Sequence, residues 1–186
     1  MGNDKDGDGC GDPYLTYRMP KSASKVKMNP QESDEFNSTE LGLQWQWHAN
    51  YNQLWGMPTS NGCLRLYTAD LATTNPEGQQ EPFKSLWQAG NLLLQKTPAK
   101  DFTATAKIRF ASKEDNQYGG VIMMGRDYQA LVVRRMGDNF LLQQHSCKDA
   151  DLGGIETEKT LVTLQPSEKD TIPYSPAIYL DIYLQM

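Results

Sequence analysis

Between Phe102 and Phe110 every second residue belongs to one class. Phe102, Ala104, Ala106, Ile108 and Phe110 are apolar, and Thr103, Thr105, Lys107 and Arg109 between them are polar. Side chains alternate sides along a strand, so this period of two marks a strand with one buried face. The same period recurs at Leu43, Trp45 and Trp47 against Gln44, Gln46 and His48. It returns at Ile178, Leu180, Ile182 and Leu184 against Tyr179, Asp181, Tyr183 and Gln185. Residues 128–136 and 139–145 read as two strands joined by a tight hairpin at Gly137-Asp138. Asp115 to Gly120 reads as a turn before the apolar run Val121 to Met124, and 155–164 continues the series. No stretch long enough for a helix carries the helical period. The chain is therefore expected to be all-β, a sandwich or a barrel.

Composition narrows the function classes. With 186 residues there is room for one domain with a sizeable core, or a domain and a tail. The net charge is −5 and the densest basic pair is Arg134-Arg135, so the basic stripe that nucleic acid requires is lacking. Neutral sugars need no such complement. No apolar run approaches the roughly 20 residues of a membrane span, and no basic-then-apolar leader opens the sequence. The three cysteines, Cys10, Cys63 and Cys147, are odd in number and widely spaced, which argues against a disulfide framework. Cys63 reads as a core residue of a strand.

Few residues carry a chemical signature. Asp4, Asp6 and Asp8, followed by Gly9, match the start of an EF-hand loop, whose alternating carboxylates on a turning backbone suit calcium. The twelfth position is Leu15 rather than the bidentate Glu, so this is not an EF-hand. Two readings stay open, a solvated Asp-Gly turn and a calcium site on Asp4, Asp6, Asp8 and Asp12. His48 and His145 lack companions at a metal or triad spacing and read as ordinary strand or loop residues. Gly119-Gly120, Gly125 and Gly153-Gly154 read as turns and bulges. Trp45 and Trp47 read as core. Tyr51, Trp55 and Trp87 lie in irregular segments rich in Gly and Pro, and are candidates for a carbohydrate platform or a domain interface.

Four segments in order carry a resemblance: Asp34-Glu-Phe with Leu41-Gly-Leu-Gln-Trp-Gln-Trp47, Gly62-Cys-Leu-Arg-Leu-Tyr67, Asn91-Leu-Leu-Leu-Gln-Lys96 and Phe102-Thr-Ala-Thr-Ala-Lys107. Together they resemble the C-terminal, concanavalin A-like β-sandwich of family 43 glycoside hydrolases of the β-xylosidase and α-L-arabinofuranosidase group. The resemblance implies a jelly roll of two antiparallel sheets over 34–186, cut short at its C-terminus. It also implies a linker over 20–33 and, over 1–19, the tail of a catalytic β-propeller with one short strand at Tyr14 to Met19. The propeller would be the partner domain in the same polypeptide and would hold every catalytic carboxylate, so no catalytic residue is carried over to this chain. Such a parent hydrolyses terminal pentoses of xylan-type oligosaccharides with inversion, and its compartment, periplasmic or secreted among the options, is not readable here. By the same resemblance, Asn50 to Pro58 is the candidate for a loop that helps to shape the substrate pocket. Asp34 and Glu35 are expected to hydrogen-bond a turn at the entry of the sandwich. The rival from another class is a self-standing carbohydrate-binding module.

Overall fold

A computed structural model describes residues 3–11, 16–18, 31–71, 73–74, 79–165 and 177–185. The chain divides into two compact units, Met1–Pro30 and Gln31–Met186. In the first, no strand forms among the described residues, Thr16, Tyr17 and Arg18 included. The expected strand at Tyr14 to Met19 is therefore not formed at those three positions. Tyr14, Leu15 and Met19 lie outside the described residues, as do residues 20–30 of the linker expected over 20–33.

The second unit is built of antiparallel strands. They are β1 (Trp45–Trp47), β2 (Gly56–Thr59), β3 (Cys63–Leu66), β4 (Thr73–Thr74), β5 (Gln80–Glu81) and β6 (Leu93–Gln95), then β7 (Thr103–Ala111), β8 (Tyr118–Met123), β9 (Tyr128–Met136), β10 (Asn139–Cys147), β11 (Thr157–Leu164) and β12 (Ala177–Gln185). The only helical elements among the described residues are two 3-10 turns, Leu86–Gln88 and Ala150–Leu152. A four-stranded sheet runs in the order β11-β10-β9-β8, and β12 pairs with β7, β1 with β6, β2 with β3 and β4 with β5.

The β9–β10 hairpin forms where the sequence places it. Met136 pairs with Asn139 across Gly137-Asp138, and Gly137 takes a φ of 60°, which glycine adopts without strain. In β7, Ala104, Ala106, Ile108 and Phe110 turn inward and the residues between them are exposed. The Phe110 ring meets Phe140 of β10 edge-on at 6.0 Å, which stacks the β7–β12 ladder on one face of the four-stranded sheet. Val133 and Phe140 complete that core, with Leu142 and Leu164 packed against it. The opposite face carries Tyr128, Ala130, Val132 and Cys147, covered by Leu86, Ala89 and Ala150, with Phe83, Trp87 and Ile122 packed alongside.

Several local expectations need correction. Leu43 does not share a buried face with the tryptophans. It is fully exposed, and β1 begins only at Trp45. Cys63 is exposed, its thiol 3.0 Å from the Thr59 hydroxyl, whereas Cys147 is buried. Gly119 and Gly120 are not a turn but lie inside β8, which starts at Tyr118. Gly120 pairs with Val132, and a Cβ there would stand 2.0 Å from the Leu131 carbonyl oxygen, so close strand approach explains the glycine.

Candidate functional site

Two parts of the second unit gather candidate side chains. The first is the aromatic edge around β1. Trp45 is tied down: its indole N–H donates to Asp34 Oδ2 at 2.9 Å, and Asp34 Oδ1 accepts the Phe36 N–H at 2.8 Å. Asp34 thus fixes the entry turn, as its position in the sequence suggests. Trp47, two residues on, meets Tyr51 at 5.8 Å and Trp55 at 5.5 Å between ring centroids. Asn52 shapes the intervening loop by accepting the Leu54 N–H on its side chain and the Trp55 N–H on its carbonyl. The Trp55 ring lies against Gly90, where a Cβ would come within 2.9 Å of it. Tyr51 remains 62% exposed, and Leu54, Met57, Leu66 and Tyr67 on the same loop and hairpin are also exposed. The segment Asn50 to Pro58 is loop only as far as Trp55, because β2 begins at Gly56.

Trp87 sits elsewhere. It belongs to the 3-10 turn packed over the Tyr128 core. Its ring meets His48 edge-on at 5.2 Å, and its carbonyl accepts a hydrogen bond from His48 Nε2 at 3.0 Å. The fold therefore groups Tyr51 and Trp55 around Trp47 and directs Trp87 toward the core.

In the first unit, Asp4, Asp6 and Asp8 each place a carboxylate oxygen within 4.8 Å of the others. Each is already engaged by backbone donors. Gly7 and Gly9 N–H groups bind the two oxygens of Asp4, Cys10 N–H binds Asp8, and Asp8 N–H binds Asp6. The Gly7 N–H, then the Gly9 N–H, holds the Asp4 carboxyl below its ordinary range. Asp12 and Leu15 lie outside the described residues.

The second gathering is a buried polar cluster that the sequence did not announce. His145 on β10 stands opposite Glu158 on β11 and Ala130 on β9. Its side chain is completely buried, and Nδ1 lies 2.9 Å from Oε1 of Glu156, which is itself almost fully buried. The Tyr128 hydroxyl donates to Glu156 Oε2 and accepts the Leu86 N–H at 2.8 Å. Arg134 holds Glu158 through two bonds of 2.7 Å and lies over the Tyr118 ring, which in turn packs 5.4 Å from the His145 ring. Burial, then the Glu156 hydrogen bond, raises the Tyr128 phenol far above its usual range; burial, then the Glu156 charge, does the same to Tyr118. His145 is thus a fully buried member of a polar cluster rather than an ordinary strand residue. The one available signal was alternation, which sets Gln143 and His145 on the same face as the apolar Cys147.

Antiparallel strands stacked in layers define the class of this protein as a β-sandwich. The chain belongs to the family of β-xylosidase C-terminal concanavalin A-like domains, which matches residues 33–181. Among curated relatives, it is 31% identical over 147 residues to a β-xylosidase of Formosa agariphila and 28% identical over 139 residues to a non-reducing end α-L-arabinofuranosidase of Bacteroides ovatus. Each alignment covers 72% of this chain but 24% of the relative, so the chain spans about a quarter of the length of the proteins it matches. No solved structure matches it. No helix among the described residues is long and apolar enough to cross a membrane.

Proposed function

We propose that this chain is the accessory β-sandwich of a family 43 glycoside hydrolase acting on xylan- or arabinoxylan-derived oligosaccharides. It packs through its aromatic edge on a catalytic propeller of the same polypeptide. The observation that carries this reading is the exposed apolar group of Tyr51, Leu54, Met57, Leu66 and Tyr67 beside the Trp47–Trp55 pair. Apolar groups clustered on one edge suit a protein partner better than open water. Tyr51 and Trp55 are then interface residues, with the loop before Gly56 at the rim of the neighbouring substrate pocket. Trp87 supports that edge from within through His48. The Asp4, Asp6 and Asp8 loop plays no part in this reading, and calcium is not needed for it.

The exposure of Tyr51 favours one alternative, a self-standing module that stacks sugar rings on Tyr51 and Trp55. The purified chain separates the two. On the accessory reading it turns over neither aryl β-xyloside nor aryl α-arabinofuranoside, and it stays in the supernatant with insoluble arabinoxylan. Turnover by the pure chain sinks that reading. Sedimentation with arabinoxylan that Trp55→Ala abolishes selects the binding module instead.

A further inference from the structure

We infer that His145 and Glu156, with Glu158 beside them, form a site for a divalent cation of the zinc class. Oxygen or nitrogen atoms of the three side chains lie within 4.8 Å of one another. More telling is what His145 and Glu156 lack. His145 Nδ1 and Glu156 Oε1 are fully buried and 2.9 Å apart, yet among the described residues neither has a hydrogen-bond partner, not even the other. Buried polar atoms are nearly always paired, and two electron-rich atoms in contact in dry surroundings call for a positive charge between them.

The surrounding groups prepare both atoms as ligands. The Leu86 N–H donates to the Tyr128 oxygen, which leaves the phenol proton for Glu156 Oε2 and frees Oε1. The Gln143 amide donates to the Thr160 hydroxyl at 3.1 Å and turns its oxygen toward His145 Nε2, 3.4 Å away. A proton kept on Nε2 leaves Nδ1 bare. Metal-binding histidines and carboxylates are commonly oriented in this way by a second layer of hydrogen bonds. One imidazole and two carboxylates suit zinc. The formal charges of the Glu156, Glu158 and Arg134 side chains sum to one negative unit, which a divalent ion can enter. Two zinc ligands at a tetrahedral angle stand about 3.3 Å apart, so binding spreads the 2.9 Å pair by a few tenths of an ångström. Glu158 joins by giving up one of its two bonds to Arg134.

The ion would act as a structural staple. Glu156 immediately precedes β11, and its N–H donates to the Lys84 carbonyl at 2.7 Å. Fixing its side chain on β10 would lock the 83–88 segment over the sheet.

The test uses the full 186-residue chain, stripped with a chelator and titrated with zinc chloride against a chromophoric competitor, with bound metal counted after dialysis. One zinc per chain is expected, with His145→Gln binding at least about 10-fold more weakly. Because His145→Gln alters a fully buried side chain on which folding can depend, Glu158→Gln, at a partly exposed position, serves as the second variant and is also expected to weaken binding. An Asp4→Asn/Asp8→Asn variant should bind as the wild type does. Absence of bound zinc, or equal uptake by the wild type and both site variants, overturns the assignment and leaves a pair that holds only a proton or a water.

Discussion

Tyr128→Phe probes the join between the four-stranded sheet and the segment that covers it. The substitution removes one oxygen and keeps the ring, so packing changes little. That oxygen serves two buried partners, accepting from the Leu86 N–H at 2.8 Å and donating to Glu156. Losing a hydrogen bond to a charged group costs about 1.5–3 kcal/mol, and leaving a buried N–H without an acceptor costs about 1–3 kcal/mol. Leu86 is 5% exposed and the Glu156 side chain 4%, so water cannot readily replace the phenol. The two costs share one site and overlap, which puts the loss at about 3–4 kcal/mol. A domain's whole stability is only about 5–15 kcal/mol, so the change is large. Urea unfolding followed by tryptophan fluorescence reads it directly, provided the slope is unchanged. Tyr67→Phe, at an exposed position, is the control and should lose almost nothing. A loss below about 1 kcal/mol for Tyr128→Phe would refute the bridging role of the hydroxyl.

Four further outcomes follow from the same structure. An unfolded tyrosine ionises near pH 10, whereas the buried Tyr118 and Tyr128 keep their protons well beyond it. Above about pH 10 the unfolded state therefore binds fewer protons than the native state. The stability is complete below that pH and falls as pH rises further, and the urea midpoint should fall less steeply in Tyr128→Phe. Gly120→Ala drives a Cβ to 2.0 Å from the Leu131 carbonyl and should cost at least about 3 kcal/mol or prevent folding. Gly137→Ala meets open space and strains only its φ of 60°, so it should cost about 1 kcal/mol in the same urea assay. A thiol reagent should label Cys10 and Cys63 quickly and Cys147 only on unfolding, because burial both shields the Cys147 thiol and raises its pKa. Rapid labelling of all three would contradict the buried placement of Cys147.

The parts of the fold that were legible in the sequence are those where a single local rule acts. β7 shows an unbroken alternation because one face packs and the other meets water, and the β9–β10 turn shows a glycine where a positive φ is required. The misreadings have equally local causes. Leu43 continues the apolar alternation of Trp45 and Trp47 but precedes the strand, so nothing packs on it. Cys63 opens the short hairpin strand β3 and stays exposed. Tyr51, Trp55 and Trp87 looked alike as aromatics in irregular segments. Side-chain contacts separate them, Trp47 collecting the first two and His48, 39 residues away in sequence, turning Trp87 inward.

The buried cluster was hidden for a different reason, which lies in β11. That strand pairs with β10 in two registers separated by a bulge. Glu158 faces His145 and Thr160 faces Gln143, but Val162 faces Leu142 and Leu164 faces Phe140. The extra residue, Leu161, switches the phase. Even-numbered residues before it share the face of His145 and Gln143, and those after it share the face of the Phe110–Phe140 core. A single period of two across 155–164 therefore cannot assign Glu158 and Val162 to their faces at once. With the phase broken, the carboxylates around His145 look like the polar side of an edge strand. Deleting Leu161 tests this reading. It should bring the whole of β11 into one register with Thr160 and Val162 as neighbours on opposite faces, so that Glu158 still faces His145 and Leu164 still faces Phe140. A urea midpoint close to that of the wild type is the expected result, and a deletion variant that unfolds at much lower urea would show that Leu161 does more than switch the phase.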